Sequence, residues 1–169
     1  MEGSKVLFIA LVILIWASIL QLIGLASPYW ISDENSIDLE SSSSPRYAGL
    51  WKTCKCRDTG DFLKNFDISK HQLRFAQAMS ILGFSALVFA SVLTILKLCF
   101  LKHVKPVLIV ASISAFVGAA SIIVSIGLFA NDVNNKKLYR YEYHFAFAFC
   151  ILAMLVAMVS GGFMILEIP

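Results

Sequence analysis

Residues 6–29 read VLFIALVILIWASILQLIGLASPY, a run without a single charge. A helix needs about 20 apolar residues to cross the ~30 Å of hydrocarbon in a bilayer, so this run is long enough to span one. The five residues before it, MEGSK, look like the start of a signal peptide. A signal's apolar region runs only about 7–15 residues, however, so an uncleaved first span fits better. The pattern recurs at 75–96 (FAQAMSILGFSALVFASVLTIL), 106–130 (PVLIVASISAFVGAASIIVSIGLFA) and 145–166 (FAFAFCILAMLVAMVSGGFMIL). Of 169 residues, 59% are hydrophobic and 15% charged, against about half apolar in soluble domains. The expected architecture is an all-α membrane protein, residues 1–169 forming one domain with four transmembrane helices.

The segments between the runs are unequal. Residues 30–74 form a long polar segment, 97–105 a short basic one and 131–144 a short mixed one. With four spans, both termini lie on one side. Counted whole, Lys and Arg favour the other side: Lys5, Lys97, Lys102 and Lys105 accompany the termini, and the remaining ten lie opposite. The positive-inside rule weighs residues near helix ends, and the first span usually dominates. Lys5 directly precedes that span, whereas residues 31–45 hold no Lys or Arg and carry Asp33, Glu34, Asp38 and Glu40. The expectation is therefore that both termini and 97–105 are cytoplasmic, and that 30–74 and 131–144 are extracellular.

The net charge of +3 comes with near balance in the long segment, which argues against nucleic-acid binding. No Asp, Glu, His, Lys or Arg sits within a run, where a pump, proton relay or voltage sensor would need one. Lys97, His144 and Glu167 lie at the edges, within snorkelling reach of the interface. Ala111, Ala115 and Ala119 recur every fourth residue, as do Ala153, Ala157 and Gly161. Such rows let helices approach closely in lipid, serving either a tight monomeric bundle or a dimer face. Cys150 reads as a small buried residue. Cys99, at the end of the second run, is a candidate for palmitoylation.

In residues 137–143 (KLYRYEY), Tyr139, Tyr141 and Tyr143 alternate with charges, as a short strand would. They also suit an interfacial aromatic belt. Tyr47, Gly49 and Trp51 alternate similarly. Two segments contributing to one small sheet would give each strand a partner. Residues Ser41–Ser44 with Pro45 read as a turn, and Lys70–Arg74 as a lead into the second span.

Between them lies Gly49–Cys56, GLWKTCKC. On an oxidising side a close Cys pair is read first as a disulfide. A metal clip would want four ligands, and His71 and His144 lack companions, so no metal or other cofactor is expected. A membrane thiol oxidoreductase is the remote alternative, but those carry CxxC with a second pair.

Trp30 after the first span, then Gly49-Leu50-Trp51, Cys54 and Cys56 resemble the W-GLW-C-C signature of the claudin, peripheral myelin protein, epithelial membrane protein and lens fibre intrinsic protein superfamily. Arg74 in QLRFAQAM is similar to the basic residue that opens the second span in claudins. FAFAFCILAMLVAMVSGG resembles the fourth span of the myelin and epithelial members. The resemblance covers the whole chain. It implies a left-handed four-helix bundle capped by a small extracellular antiparallel sheet, four strands from the first loop and one from the second. It further implies that Cys54 and Cys56 staple neighbouring strands and that Trp51 seats the sheet on the membrane.

Family cysteines usually stand further apart. Residues i and i+2 of a strand lie near the upper limit of disulfide reach, so a 54–56 bond needs a bend; free thiols and intermolecular bonds are the alternatives. The end, Leu166-Glu167-Ile168-Pro169, differs from the PDZ ligand of many claudins, so no PDZ partner is expected. The external segments hold no N-x-[ST] sequon, so no N-glycan is expected.

The resemblance implies a non-enzymatic plasma-membrane protein at cell–cell contacts. It would meet itself or related tetraspans laterally and in trans, in adhesion, tight-junction or barrier formation. The alternative is an accessory subunit of a larger membrane channel, receptor or adhesion protein. Asp58, Asp61, Lys64 and Asp67 are candidates for charge selection in a paracellular pore, or else a solvated charged face.

Overall fold

A computed structural model describes residues 2–33, 47–51, 70–100, 105–135 and 141–167. Four long helices dominate it: α1 (Glu2–Ala26), α2 (Lys70–Cys99), α3 (Lys105–Asn135) and α4 (Phe145–Leu166). Each is long and apolar enough to cross a membrane. All but α4 outrun the uncharged sequence runs at one end or both, because charged residues can continue a helix beyond hydrocarbon. α1 stops at Ala26, since Pro28 disfavours the helical conformation at Ser27. In α3, Pro106 sits in the first turn, where its missing N–H costs no helical bond.

The helices pack in a ring: α1 beside α2, α2 beside α3, α3 beside α4, and α4 beside α1. The α2/α3 seam is the most extensive and the α1/α2 seam the thinnest. Small residues face inward. Ala10, Ala17, Ala90, Ala111, Ala115, Ala119, Ala153 and Ala157 are all buried, while Phe8, Trp16, Phe89, Ile113 and Val159 face out. In water such an apolar exterior would drive association; in lipid it is the solvated face. The chain is a multi-pass membrane protein. Both small-residue rows are spent inside the monomer, the first of the two uses that sequence allows.

Glycines set the tightest approaches. A Cβ on Gly83 would lie 2.7 Å from Ile122 Cγ1 and 3.1 Å from the Gly118 carbonyl oxygen, and one on Gly118 would lie 3.1 Å from the Gly83 oxygen. These two glycines therefore mark the α2/α3 crossing. Hydroxyls then take second lone pairs of carbonyls on neighbouring helices. Ser114 donates to Ala86 O (2.9 Å), Ser125 to Ala76 O (2.7 Å), Ser160 to Ala10 O (2.7 Å) and Ser112 to Gly161 O (3.2 Å). Between α1 and α2, Gln21 Nε2 donates to Ser80 Oγ (3.1 Å).

At one end lies a three-stranded antiparallel sheet in the order β2-β1-β3, formed by β1 (Ile31–Asp33), β2 (Tyr47–Ala48) and β3 (Tyr141–Tyr143). Ile31 stands opposite both Ala48 and Tyr143. The described residues thus give two strands before α2, where the resemblance implies four, and one between α3 and α4. β2 ends at Ala48 and does not continue the Tyr47–Trp51 alternation. Gly49 instead lies close on the Ser27–Pro28 turn, where a Cβ would meet Pro28 Cα at 2.5 Å and Ser27 O at 2.6 Å, both backbone atoms.

Candidate functional site at the sheet end of the bundle

Trp30 closes this end. It is fully buried, and its Nε1–H donates to Gly24 O at 2.7 Å, the last turn of α1. Its ring meets Phe129 of α3 edge-on at 4.8 Å and Phe147 of α4 at 5.8 Å. Such edge-to-face pairs place a ring's positive rim on its neighbour's negative face. The backbone joins in: His144 N–H donates to Trp30 O (2.9 Å) and Ala146 N–H to Tyr29 O (3.3 Å). One residue therefore ties the exit of α1 to the entrance of α4 and the far end of α3.

Leu50 is equally buried, and its carbonyl accepts from Gln77 Nε2 of α2 at 2.8 Å. Gly49, Leu50 and Trp51 thus divide the work. Gly49 lets the chain lie on the Ser27–Pro28 turn, Leu50 fills the core beneath, and Trp51 turns outward at 38% exposure. Trp30 is the indole that seats the sheet on the bundle. Arg74 lies exposed on the first turns of α2.

β1 separates two aromatic groups. On one flank Tyr29 packs against Tyr47 (4.9 Å) and Phe145 (5.4 Å), with His144 among them. On the other, Tyr143 stacks on Phe147 at 4.4 Å and donates its hydroxyl to Asn134 Oδ1 of α3 at 3.1 Å. Burial pushes the Tyr143 phenol above its ordinary value, and the Asn134 bond partly offsets this. Two buried side-chain atoms have no hydrogen-bond partner among the described residues, Gln21 Oε1 and His144 Nδ1.

Cys54, Cys56, Asp58, Asp61, Lys64 and Asp67 lie outside the described residues, as do Tyr139 and Ser41–Pro45. Cys150 is buried against Gly24, and Cys99 is exposed at the opposite end of the bundle. Among the described residues no cluster of His, Cys, Asp or Glu could hold a metal ion.

Sequence reading missed three parts of this site. β1 is short and mixed, without alternation. Gln77 lies unremarked inside the second apolar run. Ile31 and Leu50 carried no signal of burial beyond being apolar.

The arrangement is a small sheet held on the bundle by aromatic rings and backbone bonds, built from segments on both sides of α2 and α3. The chain matches no individual curated protein. A family profile, in contrast, fits residues 2–164, through all four spans and the strands between them. That profile describes the PMP-22/EMP/MP20/Claudin family, and the chain belongs to it.

Proposed function

We propose that the protein is a non-enzymatic adhesion, junction or barrier component of the plasma membrane. It acts through lateral and trans contacts of its sheet-bearing end with itself or related tetraspans. In this reading both termini are cytoplasmic and the sheet is extracellular. The bundle is left-handed, and further strands from residues 34–69 complete the sheet, stapled by Cys54 and Cys56. Asp58, Asp61, Lys64 and Asp67 border any paracellular path.

The observation that supports it is the fixing of Trp30 and Leu50. A sheet held by Gly24, Phe129, Phe147 and Gln77 is rigid enough to present outward residues such as Trp51 to a neighbour at little entropic cost. The test is imaging of a tagged chain in mixed expressing and non-expressing cells, with transepithelial resistance. Enrichment only where two expressing cells meet, with altered resistance, is expected. Even distribution with co-purification of one large membrane partner would mark an accessory subunit instead. Mass spectrometry of unreduced protein should find an intrachain link at Cys54 and Cys56; two free thiols there would sink the staple.

A further inference from the structure

At the end opposite the sheet, α1 and α2 part. Phe8, Ile9 and Leu11 face Ile95, Leu98 and Cys99 across a groove of about 540 Å³, with Lys5 at its rim. That volume falls within the ~300–1,000 Å³ typical of sites for small ligands. From Lys5 to Leu11 the groove follows roughly 9 Å of helix. Its walls are apolar, and it opens on the lipid-facing surface of the bundle, so whatever fills it is apolar too. Its one charge is the Lys5 cation. In the sequence, the segments beside these helix ends hold Lys97, Lys102 and Lys105 against Glu2 and Glu167.

An apolar slot capped by a cation matches an acyl chain joined to an anionic head. Basic pockets between membrane helices hold anionic headgroups in this way. We propose that the groove between α1 and α2 binds an anionic glycerophospholipid, with one acyl chain between Phe8 and Ile95 and the phosphate side of its headgroup on Lys5. The lipid supplies the packing that α1 and α2 lack at this end. The assignment needs only the membrane fold and is independent of which side the termini face.

Native mass spectrometry of the full chain in mild detergent tests it, by titration with palmitoyl-oleoyl phosphatidylserine and the matching phosphatidylcholine. The wild-type chain should bind phosphatidylserine more tightly. Lys5→Gln should weaken phosphatidylserine about five-fold, the factor expected for one basic residue near an anionic surface, and leave phosphatidylcholine unchanged. Ile95→Trp, which fills the groove from its open side, should weaken both lipids. Ile113→Trp on the outward face of α3 should change neither. If Ile95→Trp does not fold, Ile9→Trp fills the groove from the other wall. Equal affinity for the two lipids, or binding insensitive to the groove-filling variant, overturns the proposal. So does an intact mass that carries a thioester-linked acyl chain, which would mean a tethered chain fills the groove.

Discussion

α1 and α2 meet differently at their two ends. At the sheet end the pair is joined by Gln21 to Ser80 and, through the chain after β2, by Gln77 to Leu50 O. At the other end the same helices face each other across an apolar groove. Both ends have the same apolar surroundings. Hydrophobic burial alone does not close a helix seam in lipid, because lipid tails are as apolar as Leu. Directed bonds and shape do that, and between α1 and α2 the Gln21–Ser80 bond lies in the half nearer the sheet.

The sharpest way to break this asymmetry is Trp30→Ala. It removes a fully buried indole, its bond to Gly24 and two ring contacts, and should cost about 3–5 kcal/mol. Chemical denaturation of the purified chain in detergent measures it; a cost below that of Leu50→Ala would move the anchor elsewhere. Next is Gly49→Ala, which sets a Cβ against the Ser27–Pro28 backbone. With no flexible side chain to yield, about 1–3 kcal/mol of overpacking strain is expected. Hydrogen exchange should rise at residues 31–33 and 47–48 before it rises in the helices.

Gln77→Leu keeps the volume but strands the Leu50 carbonyl, at a cost of about 1 kcal/mol. At the groove end, Ile95→Trp should change stability by less than about 0.5 kcal/mol, as outward-facing substitutions do. If it destabilises like Gly49→Ala, the two ends are equally tight and the contrast fails.

Alkaline pH gives the smallest effect. Burial raises the Tyr143 phenol above its ordinary value of 10.0. Its contribution to sheet docking is fully present below that ordinary value and declines as pH rises through the folded one. Ultraviolet titration should show one tyrosine ionising late, and Tyr143→Phe should abolish that phase.

The spans were legible because lipid demands long uncharged runs, and residues 6–29 and 145–166 meet that demand without ambiguity. The pairing of Tyr141–Tyr143 was legible from its alternation. The centre of the sheet was not. Ile31–Asp33 has no period of its own and becomes a strand only because β2 and β3 arrive on either side. Gln77 and Ser125 were also opaque. A polar residue in a span can face a carbonyl on the next helix or bond its own, as Ser91 does to Leu87 O, and spacing does not separate the two. The Ala rows pointed to close packing, but only the ring of helices assigns them to the interior.

The seat of Trp30 also sets a schedule for synthesis. Phe129 and Phe147, which wall it in, follow Trp30 by on the order of 100 residues, roughly 5–20 s of translation at ~5–20 residues per second. Until α3 and α4 have emerged, the nascent chain holds an unhoused indole, and the edge of β1 that will meet β3 stays bare and open to mispairing. Truncation between α3 and α4 therefore leaves an early product that cannot finish its sheet, and that product is the form most exposed to capture by quality control.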